Sequence, residues 1–80
     1  MPQFYLHIYN DHGDAEDDEG LEAPSLAVAR EKALHGIRSL LAAEVENGSF
    51  NLAGRIDIKD ARGEVLLTVP FNEAVDVKGA

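Results

Sequence analysis

The stretch GRIDIKDARGEVLLTVP, residues 54–70, decides the fold. Ile56 and Ile58 alternate with Arg55, Asp57 and Lys59, the period of a strand with one buried face. Val65, Leu67 and Val69 then alternate with Leu66 and Thr68. Between the two runs, Asp60-Ala61-Arg62-Gly63 is a four-residue connection with glycine placed for a positive φ. The spacing predicts an antiparallel hairpin with strands at about 54–59 and 64–69. Pro70 ends the second strand, because it has no N–H to give the ladder.

Working outward, Pro24-Ser25 opens a helix with Ser25 as the expected N-cap, and Asn47-Gly48 supplies its stop. At the helical period, Leu26, Ala29, Ala33, Leu34, Ile37, Leu40, Leu41 and Val45 share one face. Glu31, Lys32, His35, Arg38, Ser39 and Glu46 lie on the other. Such a helix of roughly 22 residues is about 33 Å long, longer than strands of this size. It outruns its sheet, and the overhang suits solvent or a second subunit. Ahead of it, Phe4, Leu6 and Ile8 alternate with Tyr5, His7 and Tyr9, a further strand over residues 3–9 that stops at Asn10-Asp11-His12-Gly13.

The expected fold class is therefore α+β: a three-stranded sheet with one helix packed on one face, in the order β-loop-α-β-β. Residues 10–24 form an acidic loop with a possible extra short strand around Glu19 to Glu22. A parallel first-strand crossover would be right-handed. The whole chain, residues 1–80, is one small domain with a frayed tail at 75–80.

Charge is distributed very unevenly. Residues 1–29 carry seven acids and no base, so nearly all of the net charge of −8 sits ahead of Arg30. A bare phosphate backbone and an anionic membrane are poor partners for such a surface, so neither nucleic acid nor membrane is expected; a basic protein suits it. The chain has no cysteine, hence no disulfide, thiolate metal site or cysteine nucleophile. Residues 1–4 show no basic n-region, and the longest apolar run is strand-sized, so a cytoplasmic location is expected.

Three groups of residues are candidate sites. The first is the acidic loop, with Asp14, Glu16, Asp17, Asp18 and Glu19. Its carboxylates alternate as in a calcium loop, but Glu19 stands where an EF-hand needs glycine and Ser25 where it needs the bidentate glutamate. A looser divalent-cation site on Asp14, Asp17 and Asp18 is the alternative, against a solvated loop that favours the helix N-terminus. The second group is His7, His12 and Asp14, which have the ligand types for a transition metal without a recognised spacing. No metal or other cofactor is expected. The third group is the face of the sheet turned away from the helix, with Tyr5, His7, Tyr9 and Leu66 beside Thr68, Arg55, Asp57 and Lys59. Two tyrosines, a histidine and a leucine rimmed by charge suit a protein contact.

Catalysis finds no residue set. Ser25, Ser39 and Ser49 fall at a cap, a polar helix face and a loop, with no nucleophile elbow, P-loop or dinucleotide fingerprint. The chain reads as a non-enzymatic interaction or regulatory module. Self-association as a homodimer or docking of a partner protein would use the tyrosine face, with the acids giving electrostatic complementarity. The competing readings are cation binding by the loop and an antitoxin-like mimic of nucleic-acid charge that inhibits a basic partner.

Several short motifs in order carry a resemblance: Met1-Pro2 leading into Phe4-Tyr5-Leu6-His7, Asp18-Glu19-Gly20, the alanines Ala27, Ala29 and Ala33, the turn 60–63, and Val65 to Phe71. Over residues 1–75 the chain resembles a family of short bacterial proteins, mostly alphaproteobacterial, classed as a domain of unknown function. The resemblance implies no activity, cofactor or catalytic residue. His7 and Asp18-Glu19-Gly20 match family motif positions, which makes them the first to mutate. A more distant likeness is to small acidic antitoxins of the HicB type, which place more strands before the helix.

Overall fold

A computed structural model describes residues 2–11, 13–76 and 78. The elements in chain order are β1 (Gln3–Asn10), β2 (Gly13–Ala15), β3 (Leu21–Glu22), α1 (Leu26–Glu46), β4 (Arg55–Lys59), β5 (Val65–Pro70) and a 3-10 turn at Phe71–Glu73. The fold is α+β, but the sheet has five strands rather than three. Its order is β2-β1-β4-β5, with β3 paired to β1. All pairings are antiparallel, so the handedness rule for parallel crossovers does not apply.

The two additional strands come from the acidic segment. β2 folds back on the end of β1, with Tyr9 opposite Asp14, and β3 pairs with its start, with Phe4 opposite Leu21. β3 lies in the stretch 19–22 where an extra short strand is expected; β2 is not expected, since Gly13 and Asp14 have poor strand propensity and the piece exists because β1 offers it a ladder.

Ser25 caps α1 as its position predicts, its Oγ accepting from the Val28 N–H at 3.3 Å. Asn47 and Gly48 close the other end, Gly48 with φ of +83°. Ala29, Ala33, Leu34, Ile37 and Leu41 are buried against Phe4, Ile56, Ile58 and Val69 of the sheet. Val45, expected on the same face, is 56% exposed because the helix continues beyond the strands. Phe71 and Ala74 complete the core, and Arg38 donates to the Ala74 carbonyl at 2.7 Å. Arg38 stays exposed, as its place on the polar face predicts, while its guanidinium ties the segment after β5 to the helix. Of the expected tail, Val75 packs half-buried on the core, while residues 77, 79 and 80 lie outside the described residues.

The β4–β5 hairpin departs from simple alternation at one point. Ile58 stands opposite Leu67 but Lys59 stands opposite Val65, so β5 carries one extra residue there. This bulge turns Val65 outward beside Lys59, whereas strict alternation places it in the core. The turn itself is held by Asp60, whose Oδ1 accepts the N–H groups of Arg62 at 2.9 Å and Glu64 at 3.0 Å. The Glu64 N–H foremost, with help from Arg62, holds the Asp60 carboxyl below its ordinary value of 3.8. Asp60→Asn is therefore expected to lower the melting temperature at neutral pH. The folded state prefers the ionised carboxyl, so the wild-type advantage is full above 3.8 and fades as pH falls through the lowered value. Melting curves of both proteins from pH 7 to pH 2 check this.

Candidate functional site

The outward face of the sheet is a small lattice fixed by register. Tyr5, His7 and Tyr9 of β1 stand opposite Lys59, Asp57 and Arg55 of β4. Thr68 of β5 lies opposite Asp57, and Asp14 of β2 lies opposite Tyr9. Directly opposed residues share a face in an antiparallel ladder, so all of these project away from α1. Lys59, Asp57 and Thr68 therefore belong to the surface that the sequence marks with Tyr5, His7, Tyr9 and Leu66.

Most of its charges are already engaged within the chain. Asp57 is 7% exposed and accepts from Thr68 Oγ1 at 2.9 Å and Arg55 Nε at 3.3 Å. The Arg55 guanidinium lies 4.4 Å from the centre of the Tyr9 ring, and Lys59 Nζ donates to the Tyr9 hydroxyl at 3.2 Å. Tyr9 is thus held between two cations, which leaves Tyr5 as the tyrosine with no such clamp. Stacking of this kind contributes on the order of 0.5–1 kcal/mol at an exposed site. The net effect is a pre-organised surface rather than a set of mobile charges.

The bulge adds apolar area. Val65 and Leu66 are 47% and 40% exposed, so β5 offers two neighbouring aliphatic side chains. Leu66 was legible in the sequence; Val65 was not, because register belongs to two strands and the periodicity of one strand does not report it. A cavity of about 200 Å³ opens between β1 and the β4–β5 turn, walled by Tyr5, His7, Lys59, Asp60, Ala61 and Gly63. His7 Nδ1 is shielded from solvent and has no hydrogen-bond partner.

The acidic segment divides into two roles. Asp14, Glu16, Asp18 and Glu19 are exposed. Asp17 instead turns toward β1: its Oδ2 accepts the Leu6 N–H at 3.2 Å and its Oδ1 the Gly20 N–H at 3.0 Å. It thereby satisfies a strand amide in the stretch of β1 between the β2 and β3 pairings. Gly20 has φ of +80°, and a Cβ there would sit 2.9 Å from the Tyr5 ring. Asp18-Glu19-Gly20 is thus bound up with the backbone turn that seats the segment beside Tyr5. Asp17→Ala is expected to cost about 1–2 kcal/mol, since it strips a charged acceptor from two amides, while Asp18→Ala stays within about 0.5 kcal/mol. Denaturant unfolding, with faster hydrogen exchange at Leu6 and Gly20 in the first variant, checks both.

Among the described residues, no three His, Asp or Glu side chains gather as a metal site. His12 lies outside the described residues, so the His7–His12–Asp14 arrangement has no geometry to report. No helix among the described residues is long and apolar enough to cross a membrane. The family model described as "Domain of unknown function (DUF6894)" matches residues 3–72. No curated protein and no solved structure matches the chain.

Proposed function

Because the chain belongs to that family, whose description assigns no activity, we propose a role from its own surface: a non-enzymatic protein-interaction module that works through the outward sheet face. The observation that carries this reading is the bulge of β5. It places Val65 and Leu66, 47% and 40% exposed, beside a polar lattice whose charges are pre-paired. Burying them on folding would have been the default, and fixed aromatic and aliphatic groups of this kind anchor protein contacts. The exposed acids Asp14, Glu16, Asp18 and Glu19 flank the same face and supply long-range steering toward a partner with basic surroundings. The partner is another protein or a second copy of the chain.

The test pairs pull-downs from native lysate with sedimentation of the purified protein. Three baits are compared: wild type, Leu66→Glu, and a form with Asp14, Glu16, Asp18 and Glu19 changed to Asn or Gln. Loss of the same partner, or of self-association, from the Leu66→Glu bait alone or from both variants supports the face. A wild type that stays monomeric and retains nothing, or a partner retained equally by all three baits, defeats the reading.

A further inference from the structure

We propose that the cavity between β1 and the β4–β5 turn is a carboxylate-binding pocket. The proposal rests on the outward face being a recognition surface, and it specifies what that surface recognises.

The walls of the pocket are rich in unspent donors. Lys59 Nζ carries three N–H groups and gives one to the Tyr9 hydroxyl, which fixes the ammonium in place and leaves two free. Tyr5 also lines the pocket and carries a hydroxyl able to donate. His7 lines the pocket as well. Its shielded Nδ1 has no partner within the chain, so the ring has hydrogen-bonding capacity unspent, and in the Nε2–H tautomer it would offer a ligand one more N–H.

Asp60 also walls the pocket, but its charge is committed to the turn. Its Oδ1 receives the N–H groups of Arg62 and Glu64, and its Oδ2 lies 3.7 Å from the Arg62 guanidinium. One ammonium remains for a ligand. That balance suits a monoanion, and a carboxylate fits it better than a phosphate dianion beside Asp60. The volume, about 200 Å³, admits the carboxylate and a short stem. The Tyr5 ring and the Ala61 methyl, both on the wall, supply apolar surface for that stem. The carboxylate can belong to a free small molecule or to an acidic side chain of a protein.

The test is an NMR titration of the intact protein with two probes, butyrate and the capped peptide Ala-Ala-Glu-Ala-Ala, each against sodium chloride of equal ionic strength. Saturable shifts at Tyr5, His7, Lys59 and Gly63 are expected. Lys59→Met and His7→Phe each weaken binding about tenfold or more, and Tyr5→Phe several-fold; retained amide dispersion shows that each variant is folded. Saturation by butyrate points to a free carboxylate, and saturation by the peptide alone to a partner side chain. No saturable shift with either probe overturns the pocket, as does equal binding of a peptide with Gln in place of Glu. A silent pocket in a protein whose Leu66→Glu variant still loses its partner removes this inference and leaves the interaction face standing. A working pocket with a partner indifferent to Leu66→Glu does the reverse.

Discussion

Phe71→Ala is expected to lower stability by about 3–5 kcal/mol, the usual loss when a buried aromatic is truncated and its site cannot collapse. Phe71 is 1% exposed and stands among the largest fully buried side chains, next to Val69 and Ala74 in a core of small and aliphatic groups. An 80-residue chain has a total stability of roughly 4–12 kcal/mol, so the variant retains at best a fraction of it. In a melting experiment the midpoint falls by about 15–30 °C. The effect is large because the ring also closes the site between α1 and the end of β5, where few other side chains are bulky enough to move in. A drop of only a few degrees would mean that the core does not depend on residues beyond the last strand.

Gly54→Ala is the second severe case, and its cause is contact rather than backbone conformation. A Cβ at Gly54 would lie 2.5 and 2.7 Å from two carbons of the Phe71 ring and 2.8 Å from the Tyr9 carbonyl oxygen. The ring is buried and the carbonyl belongs to β1, so neither neighbour yields cheaply. Meanwhile the Gly54 carbonyl accepts the Phe71 N–H at 2.9 Å, which keeps the two segments at close range. Overpacking of this kind costs about 2–3 kcal/mol. The double variant Gly54→Ala/Phe71→Leu separates the contacts, because the smaller side chain relieves the two to the ring and leaves the one to the carbonyl. Chemical denaturation should show the pair costing at least about 1 kcal/mol less than the sum of the two single changes. Strict additivity would place the whole effect on the Tyr9 carbonyl.

How much of this was legible in the sequence differs from element to element. α1 was read almost to the residue, because Ser25, Asn47 and Gly48 are strong local signals and the apolar period is long. β1, β4 and β5 followed from alternation. β3, at Leu21–Glu22, falls within the stretch where an extra short strand was expected, whereas β2 was not legible, since Gly13, Asp14 and Ala15 disfavour strands and pair only because β1 is there to receive them. Phe71 carries no periodic signal either: the turn at 71–73 is too short, and its burial depends on the space beside Gly54. At the site, alternation placed Tyr5, His7, Tyr9 and Leu66 outward without showing how they were held. The clamp on Tyr9, the outward turn of Val65 and the second role of Asp17 all depend on contacts between strands. Asp17 is one acid among several in the chain; only its two backbone amides set it apart.

β5 closes one end of the sheet order, and its shape bears on how the protein behaves when crowded. A long flat strand in that position templates the addition of other chains and seeds fibrils. Here the bulge disturbs one end of β5 and Pro70 the other, which leaves Leu67 to Val69 as its regular stretch. Three residues are a poor nucleus for stacking. The same bulge that gives the face its aliphatic pair thus keeps that exposed pair from becoming a polymerisation hazard.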